Sequence, residues 1–309
     1  AESRAADMAG TKEIKDHISS VQETKKITSA MYLIASTKLR KARQELDNTR
    51  PYFEALRREI KRIFRTVGGE VVDSPYFYPM EGEPPLDKPN ACLVITADKG
   101  LAGAYNQNAI KEALKLLETH PDTKLYVVGE YGRRFFAARG IPIEHSFLYT
   151  AQNPTMARAR EISALLLDGF ENDRLDKIYV VYTDMGNGMD FQAKCTRVLP
   201  FHRTHFADSA LVEPPVATPF EFLPSVQAVL DSMMPSYVSG FIYSALIDSF
   251  CCEQQARMTA MDSANQNAEK LLGELSLEFN RVRQSAITQE ITEVSAGARA
   301  QRKKHQKEG

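Results

Sequence analysis

The chain has 309 residues, with 39 Lys+Arg against 40 Asp+Glu, 43% hydrophobic residues and no Trp. That length suggests about two domains at ~100–200 residues each, and the apolar content is ample for globular cores. A net charge of −1 argues against a protein that coats nucleic acid through bulk charge, and four Cys in a chain of this size are not a disulfide framework.

In chain order, "AESRAAD" precedes Met8, which looks like an internal start after a short added or processed leader, so residues 1–7 are set aside. Residues 8–67 read as one helical arm. From Leu39 the series Ala42, Leu46, Thr49, Phe53, Leu56, Ile60, Ile63, Val67 steps by 3 and 4 throughout, a heptad seam that calls for a helical partner. Ile14, Ile18, Val21, Thr28, Met31 and Ala35 keep a looser stripe upstream. Pro51 should clash with the carbonyl of Asp47, so a kink or restart is expected near Asn48–Arg50. Residues 68–90, rich in Gly, Pro and acid, read as a linker.

The rhythm then changes. Ala91–Ala97, Leu125–Val128, Ile178–Thr183 and Cys195–Phe201 are short β-branched or apolar runs, read as strands. Asn108–Thr119, Tyr131–Ala138 and Met156–Phe170 are amphipathic helices between the first three. Strands alternating with helices imply a mostly parallel α/β domain over 91–211, with "DMGNGMD" (Asp184–Asp190) folding the last strand back as an antiparallel hairpin. After a second Pro-rich linker, 212–224, the chain turns helical over 225–309: a short helix to about Met234, then a long one from Pro235. Within it Glu253–Asn267 is polar and reads as outward surface. The two terminal helices have no other long partner, so they are expected to pair as an antiparallel coiled coil with the α/β domain inserted between them.

Charge follows this division. Residues 11–65 carry +7 (14 basic, 7 acidic), 66–237 carry −7 (15 basic, 22 acidic), and 281–309 carry +4 (7 basic, 3 acidic). Such opposed regions suggest interaction surfaces. No apolar run approaches the ~20 residues that span a bilayer.

Chemistry-bearing patterns are sparse. "TADKGLAGAYNQN" (Thr96–Asn108) is a Gly-containing strand-to-helix loop but neither dinucleotide nor P-loop fingerprint, leaving a tight turn for close packing or an anion at the helix N-terminus. His202 and His205 lack a third ligand. Asp98 and Lys99 read as a surface ion pair rather than an acid/base couple. The run "KLRKAR" (Lys38–Arg43) fits a solvated face, nucleic-acid contact without interleaved aromatics, or contact with acidic protein loops. Cys251 and Cys252 are adjacent, too close to bridge without strain. Catalysis, cofactor and metal binding are not indicated.

"EIKDHISSVQETKKITSAMYLIASTKLRKA" (Glu13–Ala42) resembles the opening helix of the γ subunit of F-type ATP synthase, bacterial type. "ARMTAMDSANQNAEKLLGELSLEFNRVRQSAITQEITEVSAGARA" (Ala256–Ala300) is similar to that family's last helix, with Ile287, Thr288, Glu290, Glu293, Gly297 and Ala298 on its signature, and "LVITADKGLAGAYN" (Leu93–Asn106) to its first strand and turn. The resemblance implies a Rossmann-like domain inserted in a coiled-coil shaft. It implies a non-catalytic rotor that turns within three α and three β subunits and stands against ε and a ring of c subunits, on the cytoplasmic face of the bacterial membrane without a membrane span of its own. By resemblance Arg283, Gln284, Thr288 and Glu290 contact a β loop, and Met31, Lys38, Arg40 and Lys41 lie where an acidic β loop approaches. The alternative is a non-enzymatic scaffold with a coiled-coil arm.

Overall fold

The computed structural model describes residues 2–67, 74–78, 87–148, 151–185, 191–202 and 221–305. Two long helices, α1 (Glu2–Val67) and α5 (Val226–His305), flank in sequence a mixed α/β region that has five strands and three helices among the described residues. Its elements are β1 (Ala91–Ile95), α2 (Tyr105–Thr119), β2 (Lys124–Val128), α3 (Glu130–Ala138), β3 (His145–Phe147), α4 (Met156–Glu171), β4 (Ile178–Asp184) and β5 (Gln192–Leu199). The chain divides into two compact units, Ala1–Ile34 with Ala260–Gly309, and Ala35–Thr259.

In the second unit the sheet runs β3-β2-β1-β4-β5, with β5 alone antiparallel. β1 is central and buried at all five positions, which is why it reads as an unbroken apolar run rather than an alternation. One sheet face packs Cys92, Val94, Leu125, Val127 and Val181 against Ala109, Ile110 and Ala113 of α2 and Phe136 of α3. The other packs Leu93, Ile95, Val128 and Val180 with Ile162 and Leu166 of α4 and with Leu230, Met234, Val238, Ile242 and Leu246 of α5. Leu39, Ala42, Ile60 and Ile63 of the α1 seam join that same core.

Two glycines make close approaches possible. Gly129 has φ +95, and a Cβ there would sit 2.2 Å from the Thr96 carbonyl oxygen where the ends of β1 and β2 converge. A Cβ on Gly240 would sit 2.1 Å from the Phe53 ring, so this residue lets α1 lie directly on α5.

In the first unit, α1 and α5 meet along polar as well as apolar positions. Thr11, Ile14, Ile18, Val21, Lys25 and Thr28 are half-buried on α1; Met261, Leu272, Leu275, Phe279, Val282 and Ala286 are buried or half-buried on α5. Lys25 Nζ lies 2.6 Å from Glu269, and Thr28 Oγ1 donates to Asn265 Oδ1 at 2.5 Å, so residue numbers rise on one helix as they fall on the other.

Several sequence expectations need correction. α1 continues through Pro51 with no restart at Asn48–Arg50, and α5 begins at Val226 and continues through Pro235. Each Pro removes one backbone bond, a local cost of ~3 kcal/mol, while the buried face it interrupts goes on to either side. β3 was not anticipated; three residues at a sheet edge leave no periodicity to read. Inside the expected linker 68–90, Ser74, Tyr76, Phe77 and Tyr78 are buried. There Phe77 meets Phe64 edge-on at 4.9 Å and Tyr76 bonds Glu171, because aromatic side chains between turn residues still bury when a core is adjacent. The tip of the β4–β5 hairpin, residues 186–190, lies outside the described residues, while the strands themselves pair antiparallel from Ile178↔Leu199 to Asp184↔Gln192.

Candidate functional site: partner-contact surfaces and the loop after β1

The loop Asp98–Ala104 follows the central strand, where α/β folds commonly hold ligands. Its shape is set by α2, since Asn106 Oδ1 accepts from Ala97 N at 2.9 Å and Asn106 Nδ2 donates to the Lys99 carbonyl at 3.4 Å. Leu101 (φ 62) and Gly103 (φ 53) take left-handed backbone, and Leu101 is exposed. The α2 terminus turns inward: Tyr105 N donates to Ala102 O, and Ala102 and Tyr105 are buried with Ala97 against Cys252 of α5. Of the two readings of this loop, the structure carries the tight turn made for close packing.

α5 holds the loop with polar groups. Arg257 Nη2 donates to the Gly100 carbonyl at 3.2 Å, while Arg257 Nη1 lies 2.6 Å from Glu253 Oε1. This is an (i, i+4) pair with side chains only 12% and 9% exposed. Gln254 Nε2 adds a second donor to Glu253 at 3.2 Å. Burial pushes the Glu253 carboxyl up, and Arg257 opposes it. Beside it the Tyr105 phenol, bonded to Ser249, is pushed well up by burial, and Ser249 Oγ accepts from Thr183 N at 3.1 Å. Glu253–Asn267 is therefore only in part the outward polar surface expected from its composition: Thr259, Asp262, Ser263, Gln266 and Asn267 are exposed, but Glu253 and Gln254 are buried, and Asn265 bonds Thr28. The (i, i+4) spacing of Glu253 and Arg257 was visible in the sequence; that both would be enclosed by a distant loop was not.

Asp98 does not act as the surface partner of Lys99. Its Oδ1 accepts from Glu130 N at 2.9 Å and caps α3. A cleft of about 870 Å³ opens beside it, lined by Lys99, Glu130, Arg133, Arg134 and Gln152 among others. Within the cleft Glu130 engages Arg133 in two bonds of 2.6 Å and Arg134 in one of 2.8 Å. These bonds, Arg133 first, hold the Glu130 carboxyl down at about 2.

The residues singled out for partner contact fall into both units. On α5, Arg283, Gln284, Thr288 and Glu290 are exposed on successive turns, and Thr288 Oγ1 donates to the Gln284 carbonyl at 2.8 Å. Ile287, Ile291 and Val294 nearby are 47%, 61% and 67% exposed. Met31 is half-buried on α1 in the same unit. In the second unit Lys38, Arg40 and Lys41 are exposed while Leu39 and Ala42 face inward, so "KLRKAR" presents its cations and buries its apolar residues.

The remaining candidates resolve as packing. Cys251 lies in the core, its thiol pushed up to about 12 by burial first and Asp248 second. Cys252 is buried with its sulfur 3.6 Å from the Thr183 carbonyl. His202 stacks on Tyr78 at 4.7 Å, and His205 lies outside the described residues. Among the described residues no cluster of three His, Cys, Asp or Glu could hold a metal, and no helix is long and apolar enough to cross a membrane.

Residues 10–301 match the ATP synthase family. The chain is 40% identical to the ATP synthase gamma chain of Caldanaerobacter subterraneus subsp. tengcongensis, covering 94% of this chain and 99% of that one. It is 37% identical to the gamma chain of Acetivibrio thermocellus, covering 95% and 99%. Among solved structures it matches a chain of the Euglena gracilis mitochondrial ATP synthase (OSCP/F1/c-ring, rotational state 3) with a TM-score of 0.63 at 15% identity, covering 94% of each.

Proposed function

The chain belongs to the ATP synthase γ chain family, and from that premise we propose that it is the shaft that couples ion-driven rotation of a membrane ring to conformational change at catalytic subunits. It is a central-stalk subunit, and catalysis lies on other subunits. The observation that carries the proposal is full-length similarity to γ chains together with two terminal helices that meet side by side and carry exposed polar and cationic side chains.

The stalk is an antiparallel coiled coil. This is supported by the 3-and-4 spacing of the inward positions on α1 and α5 and by the Lys25–Glu269 and Thr28–Asn265 pairs. A polar seam of this kind fixes register with less apolar attraction than leucines would supply. The inserted domain, 91–211 between linkers 68–90 and 212–224, is Rossmann-like. The order β3-β2-β1-β4 with helical crossovers supports this, and β5 closes the edge as an antiparallel strand.

Three copies of one catalytic subunit behave alike unless something breaks their symmetry. A shaft whose faces differ contacts each copy differently, and only such differential contact shifts a conformational equilibrium and with it nucleotide affinity. Turning the shaft moves that bias around the ring; hydrolysis driving the shaft is the same coupling run backwards. Arg283, Gln284, Thr288 and Glu290 are the contacts with a β loop. Lys38, Arg40 and Lys41, with Met31, meet an acidic β loop whose charge they complement. The partners are three α and three β subunits, ε and the c ring, and the site of action is the cytoplasmic face of a bacterial membrane.

The test is reconstitution. Mixed with α and β, the chain should restore rotation-coupled ATPase, and a cysteine at Gln284 should cross-link to β. Failure to co-purify with α and β would sink the rotor assignment and leave a scaffold.

A further inference from the structure

The rotor reading says that torque must pass between the α/β region and the shaft, and the contact that fixes their rotational register can be sought in the second unit. Most of that contact is apolar: around the loop after β1, Ala97, Ala102 and Tyr105 face Cys252 and Ala256, with Met185 and Phe191 packed beside them. Apolar burial is non-directional and roughly proportional to area, so it holds two surfaces together more readily than it fixes how one is turned on the other. Directional bonds are needed for that. Ser249 supplies one set, to Thr183 N and Tyr105. About two helical turns beyond, Arg257 supplies the bond that reaches the loop itself.

The geometry of that bond is specific to arginine. One Nη grips Glu253 on its own helix and the other the Gly100 carbonyl, so the guanidinium fork is oriented by α5 before it meets the loop. The loop is stiffened from its other sides by Asn106, which bonds Ala97 N and Lys99 O, and by Asp98, which caps α3. An enclosed ion pair is poor value as stabilisation, because desolvation offsets most of the attraction and apolar side chains of similar size pack as well or better. Its distinctive contribution is orientation. We propose that Arg257 is a positioning residue for coupling: by joining Glu253 to the Gly100 carbonyl it pins the 98–104 loop to α5, so that sheet and helix turn together.

This inference rests on the rotor reading for its consequence but not for its geometry, and the experiment separates the two. In the full chain, Arg257→Gln should raise amide exchange at Gly100 and Leu101 at least tenfold while exchange in β1 and α2 stays at the parental level. Arg257→Lys, which keeps the charge beside Glu253 but lacks the fork, should fall between. In the assembled complex in inverted vesicles, the glutamine variant should keep ATP hydrolysis near parental and lower ATP-driven ion uptake several-fold, with partial rescue by lysine. Unchanged exchange at Gly100 and Leu101 would overturn the pin. Raised exchange with a parental ratio of uptake to hydrolysis, or equal loss of both activities, would overturn its role in coupling. If the parental chain itself fails to assemble with α and β, the rotor reading falls and the coupling role with it, while the exchange result still decides the pin.

Discussion

Asp248 lies on α5, half-buried, facing Asp184 of β4 and Arg50 of α1. Burial first and the Asp184 charge second raise its carboxyl from 3.8 to about 6, and Arg50 offsets this only in part. A rise of about two units corresponds to ~3 kcal/mol against the ionised form at neutral pH, an upper figure for a side chain that water still reaches. Asp248→Asn keeps the shape and removes the charge, so the full chain should gain ~1–3 kcal/mol at pH 7. The sign reverses the usual carboxylate pattern. Between about pH 4 and 6 the folded chain binds more protons at this site than the unfolded chain, so the parent loses stability as pH rises through that window. The advantage of asparagine should therefore be full above pH 6 and vanish by pH 4. Urea unfolding followed by tyrosine fluorescence at pH 4, 5, 6 and 7, compared as parent minus variant, cancels other carboxylates titrating in the same range. No gain at pH 7, or an equal gain at pH 4, would refute the reasoning.

Gly240→Ala should cost ~1–3 kcal/mol by overpacking against Phe53, measurable in the same assay, and pairing it with Phe53→Leu should recover part of the loss; additive losses would mean the contact is not the cause. Glu130, held down at about 2, contributes to α3 above its ordinary 4.5, a contribution lost as pH falls from 4.5 towards 2; Glu130→Gln should abolish that acid-dependent loss of amide protection in α3, and a parental pH profile in the variant would count against it.

Much of this architecture was legible because it is periodic. The 3-and-4 seam from Leu39 to Ile63 is the line that buries, and the β-branched runs at 91, 125, 178 and 195 lie in the strands of the sheet. Helix and strand periods are local properties of the chain, carried by where successive side chains point. The resemblance to γ chains was likewise carried by contiguous motifs in the terminal helices.

What the chain alone left open depends on neighbours distant in sequence. Glu253 and Gln254 sit in a polar stretch that looks solvent-facing until a loop more than 150 residues earlier closes over it. Asp98 stands next to Lys99 yet caps a helix that starts at Glu130. Ser74–Tyr78 sits among turn residues but packs against Phe64 and Phe201. The compact unit Ala35–Thr259 also takes parts of both long helices into one core with the sheet, a grouping no linear division of the chain expresses. By itself the sequence determined the long helices, the four longer strands and their apolar faces, since those follow from spacing along the backbone, but not the short edge strand β3 or the continuity of the helices through Pro51 and Pro235. Tertiary structure decided which polar residues are enclosed, because burial and hydrogen-bond partnership are set by what the fold brings alongside.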